Sequence, residues 1–344
     1  MDLRLTEDQK SIYTALAIVL AILGIWALIN RPVRPEQTSP PEPISLLAVG
    51  DINLGRKVGQ EILKGDNNYA FEYLNERISQ YDVAFGNLES QLVDLGGETQ
   101  SPTNEYRFAG PPAGADGLKQ AGFDIVSIAN NHMWDYGKDA LFSTIDNLDR
   151  AGVKHVGASE DTATIYQPVI ITAQQQKVAF FAVTDILNGY EKSGAADYIA
   201  WADADKLVPA IEQIKNSVDW VIVSLHWGTE YADRPSAAQV TLAHKLIDAG
   251  ANVLIGSHSH VPQGVEEYKG GLIFYSLGNF AFWQPFSYWT QHSFMAEITL
   301  SPSTGRVDYN PVAITAGWQP RLSFDKDDVK ILQYIAKLSE AFTK

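Results

Sequence analysis

Five polar segments of this chain each follow a short apolar run, and their side chains are of the types that bind divalent metal ions. Asp51 follows Leu46–Gly50 in LLAVGDINLGR, and Asn87 and Glu89 follow Val83–Gly86 in VAFGNLES. Asn130, Asn131 and His132 follow Ile125–Ala129 in IVSIANNHMWDYG. His226 follows Val221–Leu225 in VIVSLHWGTEY, and His258 and His260 follow Val253–Ser257 in VLIGSHSHVPQG. Taken alone, a strand-end Asp or Asn serves as a turn or cap residue, and a lone histidine as a hydrogen-bonded structural group. Five such segments in one order indicate a site. Imidazole, carboxylate and amide oxygen without thiolate suit borderline ions such as Zn, Mn or Fe, and the His258-x-His260 turn can offer one imidazole to each of two ions. Two ions about 3.5 to 4 Å apart would grip a phosphoryl group, activate a bridging water and neutralise the attacking and leaving oxygens. His132, beside Asn131, then stands where it could protonate a leaving oxygen.

Such chemistry needs the segments gathered at one edge, which parallel strands achieve when their C-terminal ends lie side by side. Strand-like runs occur at Ile44–Val49, Val83–Phe85, Ile125–Ile128, Val178–Val183, Trp220–Leu225, Val253–Ile255 and Leu272–Ser276. Helical patterns lie between many of them, at Tyr69–Ser79, Ala113–Ala121, Lys138–Ala151, Asp203–Asn216 and Ser236–Ala249. The alternation predicts an α/β fold, and the closely spaced strands over residues 264–315 predict a second, more antiparallel sheet. A domain over residues 44–320 followed by a C-terminal helix over 321–344 is expected.

Upstream of that domain, behind a short tail over residues 1–10, no residue from Ser11 to Asn30 is charged, and TALAIVLAILGIWALI is almost wholly apolar. About 20 residues at roughly 1.5 Å each match a bilayer core of about 30 Å, so residues 11–30 are expected to form a single transmembrane anchor. An A-x-A-like exit is absent and Arg31-Pro32-Val33-Arg34 follows directly, which argues against a cleaved signal peptide. Residues 31–43 (RPVRPEQTSPPEP) read as a stiff, extended linker. Arg4 and Lys10 on one side balance Arg31 and Arg34 on the other, so charge specifies orientation poorly; the expectation is a single-pass protein of the cell membrane with its main domain outside the cytoplasm. Lys+Arg of 26 against Asp+Glu of 41 gives a net charge of −15, which argues against nucleic acid or anionic lipid as a broad electrostatic partner. The absence of cysteine excludes disulfides, thiolate ligands and a cysteine nucleophile.

Together with HWGTEY at His226–Tyr231 and YSLGNFAF at Tyr275–Phe282, the five segments resemble the capsule-synthesis CapA family, also called the poly-γ-glutamate capsule biosynthesis family. That family is a branch of the calcineurin-like metallophosphoesterases. The resemblance covers about residues 44–315 and implies a four-layer α-β-β-α fold with two central sheets flanked by helices. It also implies two divalent ions, one served by Asp51 and His260 and the other by Asn131, His226 and His258. Two positions depart from the superfamily pattern. Its Asp-x-His first motif is Asp51-Ile52-Asn53 here, and its bridging Asp is replaced by Asn87, with Glu89 the nearest charged substitute.

The candidate metal ligands are therefore Asp51, Asn87, Glu89, Asn131, His226, His258 and His260, with His132 as the candidate catalytic residue. Asn53, Arg56 in INLGR and Arg107 in YRFAGPP are candidates for substrate binding; His155, His244 and His292 read as structural or exposed. The aromatic residues Phe280, Phe282, Trp283, Phe286, Tyr288 and Trp289 suit core or loop packing, or the rim of a polymer groove. The first functional expectation is a membrane-anchored, metal-dependent hydrolase or transferase acting on a phosphoester, or an amide, in capsule or poly-γ-glutamate metabolism. The second is a non-catalytic subunit that holds an anionic capsule polymer for synthase partners. Asn53 and Asn87 favour the second; the intact Asn131-His132 and His258-Ser259-His260 favour the first.

Overall fold

Successive residues of a strand face opposite sides of its sheet, and the strand Gln176–Thr184 lies between two apolar layers accordingly. Val178, Phe180 and Ala182 pack into a core shared with Leu46, Phe85 and Ile298, and Phe180 stacks on Phe85 with ring centroids 5.9 Å apart. Ala179, Phe181 and Val183 pack instead with Leu207 and Ile211 of helix Ala204–Ile214 and Leu246 and Ile247 of helix Ala237–Ala249. A strand apolar on both faces belongs to an inner layer.

The computed structural model describes residues 6–29 and 41–343, which fall into two units divided between Pro40 and Pro41. The first contains helix Glu7–Ile29, whose Leu16, Ile18, Leu20 and Ile22 are exposed; by length and composition Glu7–Trp26 suffices to cross a membrane. Most of the expected linker, residues 31–40, lies outside the described residues, as do Asn30 and residues 1–5 of the tail.

The second unit has fifteen strands: β1 (Ile44–Ile52), β2 (Val83–Leu88), β3 (Gln91–Leu92), β4 (Ala109–Gly110), β5 (Ile125–Ser127), β6 (Lys154–Val156), β7 (Val169–Ala173), β8 (Gln176–Thr184), β9 (Trp220–His226), β10 (Val253–Ser257), β11 (Val265–Tyr268), β12 (Gly271–Phe274), β13 (His292–Ser301), β14 (Arg306–Thr315) and β15 (Arg321–Leu322). One sheet has the order β15-β14-β13-β1-β2-β5-β6 and the other β11-β12-β10-β9-β8-β7, while β3 and β4 form a small ribbon. In the first sheet β1, β2, β5 and β6 run parallel; in the second β8, β9, β10 and β12 do. Helices Gly114–Ala121 and Gly137–Ala151 contribute Leu118, Leu141, Ile145 and Leu148 to the larger core, completing the α-β-β-α layering. Each such fully buried aliphatic side chain stabilises by about 1.5–3 kcal/mol.

The late strands behave differently from the expected separate antiparallel sheet. β11 and β12 extend the second sheet, whereas β13, β14 and β15 extend the first beside β1, so antiparallel pairing is placed on the flanks of both sheets. The expected helix over Tyr69–Ser79 is broken into a 3-10 turn at Tyr69–Phe71 and a helical turn at Asn75–Ile78. The terminal helix begins at Asp325, because Arg321–Leu322 pair with β14.

The segment between β12 and β13 runs against the C-terminal end of β1 and, through Leu277 N–H to Gly256 O at 3.1 Å, against β10 as well. The β1–β2 register shifts between Ala48 and Asp51, and there Asp51 donates its N–H to Gly278 O at 3.1 Å while its carbonyl accepts from Phe280 N–H at 2.9 Å. A Cβ at Gly50 would lie 1.8 Å from Gly278 O, and one at Gly256 2.0 Å from Tyr275 O, so neither place admits a side chain. Gly50→Ala is accordingly expected to destabilise the domain by about 3 kcal/mol, read as a lowered denaturant midpoint; a wild-type midpoint would contradict the close approach.

Candidate metal centre

The parallel strands of both sheets end at this junction, and their ends bring the candidate ligands together. Asp51 and Asn87 lie in the last turns of β1 and β2, with Glu89 just beyond; Asn131 and His132 follow β5; His226 ends β9; His258 and His260 follow β10. All eight are buried. Two groups of mutually close ligand atoms form, Asp51 with Glu89 and His260, and Glu89 with His226 and His258, so Glu89 belongs to both. Its Oε1 has no hydrogen-bond partner and lies 3.8 Å from His132 Nε2, 3.9 Å from His226 Nε2 and 3.8 Å from His260 Nε2. Asp51 Oδ2 likewise accepts no hydrogen bond, though His260 Nδ1 stands 3.2 Å away.

These spacings fit cations. Two ligand atoms about 2.1 Å from a common ion stand roughly 3.4 Å apart at a tetrahedral angle, and a buried carboxylate oxygen left without a partner is costly unless a cation faces it. Burial, then the neighbouring Asp51 carboxylate, pushes the Glu89 carboxyl well above its ordinary range. Burial, then His258, holds His226 well below the ordinary imidazole value; burial, then His260, brings His258 down to about 3. Neutral imidazole is the form that ligates metal.

Asparagines orient the set. Asn188 Nδ2 donates to the Asn131 carbonyl and its Oδ1 accepts from Asn131 Nδ2, which turns Asn131 Oδ1 inward, 2.7 Å from His226 Nε2. His258 Nδ1 lies 3.1 Å from the same His226 nitrogen. Asn279 Nδ2 donates to Thr290 O and Gln284 Oε1, so its Oδ1 faces His260 Nδ1 at 2.9 Å and fixes that nitrogen as the proton carrier. Asn87 departs from the expected ligand role. Asn130 is fixed by Leu88 O and His132 N–H, its Nδ2 donates to Asn87 Oδ1, and Asn87 therefore points Nδ2 at Asp51 Oδ1 (2.8 Å) and Glu89 Oε2 (3.3 Å). It is a donor to both carboxylates, with its oxygen turned away.

His132 Nδ1 lies 2.8 Å from Asp135 Oδ2, an oxygen that also accepts from Phe108 N–H. Its Nε2 thereby faces the cleft, a cavity of about 340 Å³ whose lining includes Arg107, Asn131, His132, Asn188 and Glu230. Arg107 thus lies at the site's entrance. Asn53 and Arg56 do not join the ligands: Asn53 Oδ1 accepts from Gly55 N–H at 2.9 Å, and the Arg56 guanidinium covers the Phe108 ring at 4.4 Å and donates to Trp283 O and Glu105 O. His155, His244 and His292 lie apart, beside Asp149, Glu266 and Tyr288 respectively. Asp135, Asn188 and Asn279 escaped the reading of the sequence. The His132-x-x-Asp135 spacing carried a signal for the first and LGNF for the third; Asn188, in an irregular loop, carried none.

Layering and convergent ligands define the class, a four-layer α-β-β-α protein with a candidate metal centre. The family model described as "Bacterial capsule synthesis protein PGA_cap" matches residues 45–284, and the chain belongs to that family. It is 28% identical over 343 residues to the capsule biosynthesis protein CapA of Bacillus anthracis, covering 96% of this chain and 83% of the relative. It is 29% identical over 325 residues to the PGA biosynthesis protein CapA of Bacillus subtilis (strain 168), covering 91% and 84%. Among solved structures, the 5'-nucleotidase precursor of Thermus thermophilus is similar at 14% identity and a TM-score of 0.47, over 87% of this chain and 59% of that one.

Glu89→Gln is expected to lower bound divalent metal in both groups, since the residue is shared, whereas His260→Ala or His258→Ala should deplete one group each and lower the melting temperature in metal-replete buffer. Elemental analysis decides; equal metal content in wild type and all three variants would refute the centre.

Proposed function

We propose that this protein is a membrane-anchored, metal-dependent hydrolase of capsule or envelope polymer metabolism that cleaves a phosphoester. The observation that most supports this is the buried, partnerless Glu89 Oε1 within 4 Å of three imidazole nitrogens. In this reading two divalent ions of the Mn, Fe or Zn type would be held by Glu89 together with Asp51 and His260 for one and Asn131, His226 and His258 for the other. Bound there, the ions would supply Lewis acidity and neutralise charge developing on the attacking and leaving oxygens. The chain's own residues do the rest. Asp135 holds His132 so that Nε2 faces the cleft and delivers a proton to the leaving oxygen, while Arg107 at the entrance attracts and orients the anionic group. Residues 11–30 anchor the chain in the cell membrane, residues 31–43 tether the catalytic domain over 44–320, and that domain works on the outer side.

Asn87 favours a second reading. A neutral donor where a bridging carboxylate would stand leaves less negative charge to hold two dications. On that reading the chain is a non-catalytic subunit that guides an anionic polymer such as poly-γ-glutamate for synthase partners.

His132→Ala is expected to retain metal and melting temperature while losing about 10²- to 10⁴-fold in turnover of a phosphodiester such as bis-p-nitrophenyl phosphate. Unchanged hydrolysis in the variant would remove His132 from the chemistry, and no turnover by the metal-loaded wild type would select the second reading. The anchor is checked separately: the full chain should sediment with membranes and require detergent for release, and recovery in the soluble fraction would exclude it.

A further inference from the structure

A second pocket, about 560 Å³ in volume, shares a wall with the metal-centre cleft. Glu105 lines this pocket, while its chain neighbours Asn104, Tyr106 and Arg107 line the cleft. Phe286, in the pocket lining, meets Tyr231 edge-on with centroids 5.9 Å apart, and Tyr231 stands 6.1 Å from the His260 ring. A linear chain with one linkage at the metal centre has this pocket as its next station, and the volume is that of a small-molecule site.

Its chemistry is specific. Trp283 and Trp318, both half-buried, contribute indoles 6.2 Å apart and inclined by 30°. Gln60 uses its amide N–H groups on Gly97 O and Thr99 Oγ1, and Gln100 uses one on Glu105 O, which leaves their carbonyl oxygens as acceptors beside the carboxylates of Glu98 and Glu105. The Arg56 guanidinium covers Phe108, donates to two backbone carbonyls and is attracted by Glu105, and Lys57 lies over the Tyr69 ring, so two cations balance the two acids of the pocket. Aromatic faces with an acceptor-rich rim suit a ligand that has an apolar face and several hydroxyl donors. A lining whose charges balance gives a run of carboxylates no net attraction. The ligand with the fitting pattern is a sugar ring.

We propose that this pocket is a carbohydrate subsite, which seats one sugar unit of a linear envelope polymer against Trp283 and Trp318 while the adjoining linkage reaches the metal centre. The second half of that statement rests on the hydrolase reading above; the first does not. The test uses the full chain in detergent, with and without EDTA, titrated with neutral tetrasaccharides of glucose, galactose and N-acetylglucosamine and with poly-γ-glutamate, followed by saturation-transfer NMR and calorimetry. At least one tetrasaccharide should bind saturably and unchanged by EDTA. Trp318→Ala should weaken it by about tenfold or more, and Glu105→Gln, a shape-preserving change on an exposed loop, by about threefold. If Trp318→Ala does not fold, Glu105→Gln decides. Binding of none of the three sugars, wild-type affinity in the folded variants, or poly-γ-glutamate binding that is lost in Trp318→Ala would overturn the proposal. Saturable sugar binding by a metal-loaded chain that turns over no phosphodiester would overturn the hydrolase reading alone and leave the subsite standing.

Discussion

The candidate centre depends on a few backbone hydrogen bonds that tie the C-terminal end of β1 to the segment following β12. Asp51 is paired in both directions with the Gly278–Phe280 segment, and Asn53 N–H reaches Ala281 O at 2.9 Å. The carboxylates come from the first sheet and the three ligand-type imidazoles from the second, so their separation is set by this junction and not by long flexible loops. Backbone contact of that closeness requires hydrogen at the Cβ position, and Gly50 and Gly256 supply it. The register shift in β1 turns Asp51 toward the junction just where the close approach begins.

Around the ligands the polar scaffold is built mainly from amides. An asparagine has a donor end and an acceptor end, so tying one end to the backbone determines what the other presents. Asn188 is tied to the Asn131 carbonyl, Asn130 to Leu88 O and Asn279 to Thr290 O, and these bonds set the direction of Asn131, Asn87 and His260 in turn. A scaffold of charged groups would compete with the ligands for cations; amides orient them and add no net charge. Glu89 and Asp51 are the buried carboxyl groups within the two candidate ligand clusters, facing imidazoles.

What could be read from the sequence follows the same physics. Strand-end polar residues after apolar runs are visible because parallel strands gather their C-terminal ends, and that placed Asp51, Glu89, Asn131, His132, His226, His258 and His260 in one locality. Sheet membership was not visible for β13 and β14, since a period-two pattern identifies a strand and not its neighbour. The inward face of Asn87 was hidden for a further reason: it depends on Asn130, whose own direction depends on a backbone carbonyl across a strand pair. Arg56 follows a motif that suggests anion binding, but its left-handed backbone and the nearby Phe108 ring direct the guanidinium elsewhere.

His258 and His260 adopt φ of +86° and +58°, in the region where a Cβ crowds the carbonyl. Each costs about 1–3 kcal/mol relative to a residue at ease there, and glycine would relieve both. Ser259 Oγ donates to Val261 O and Ser259 O accepts from Tyr231 N–H, so the turn is clipped at its centre and cannot ease one histidine without shifting the other. Two histidines standing where glycine is the thermodynamic preference thus put conformational strain at the candidate centre itself.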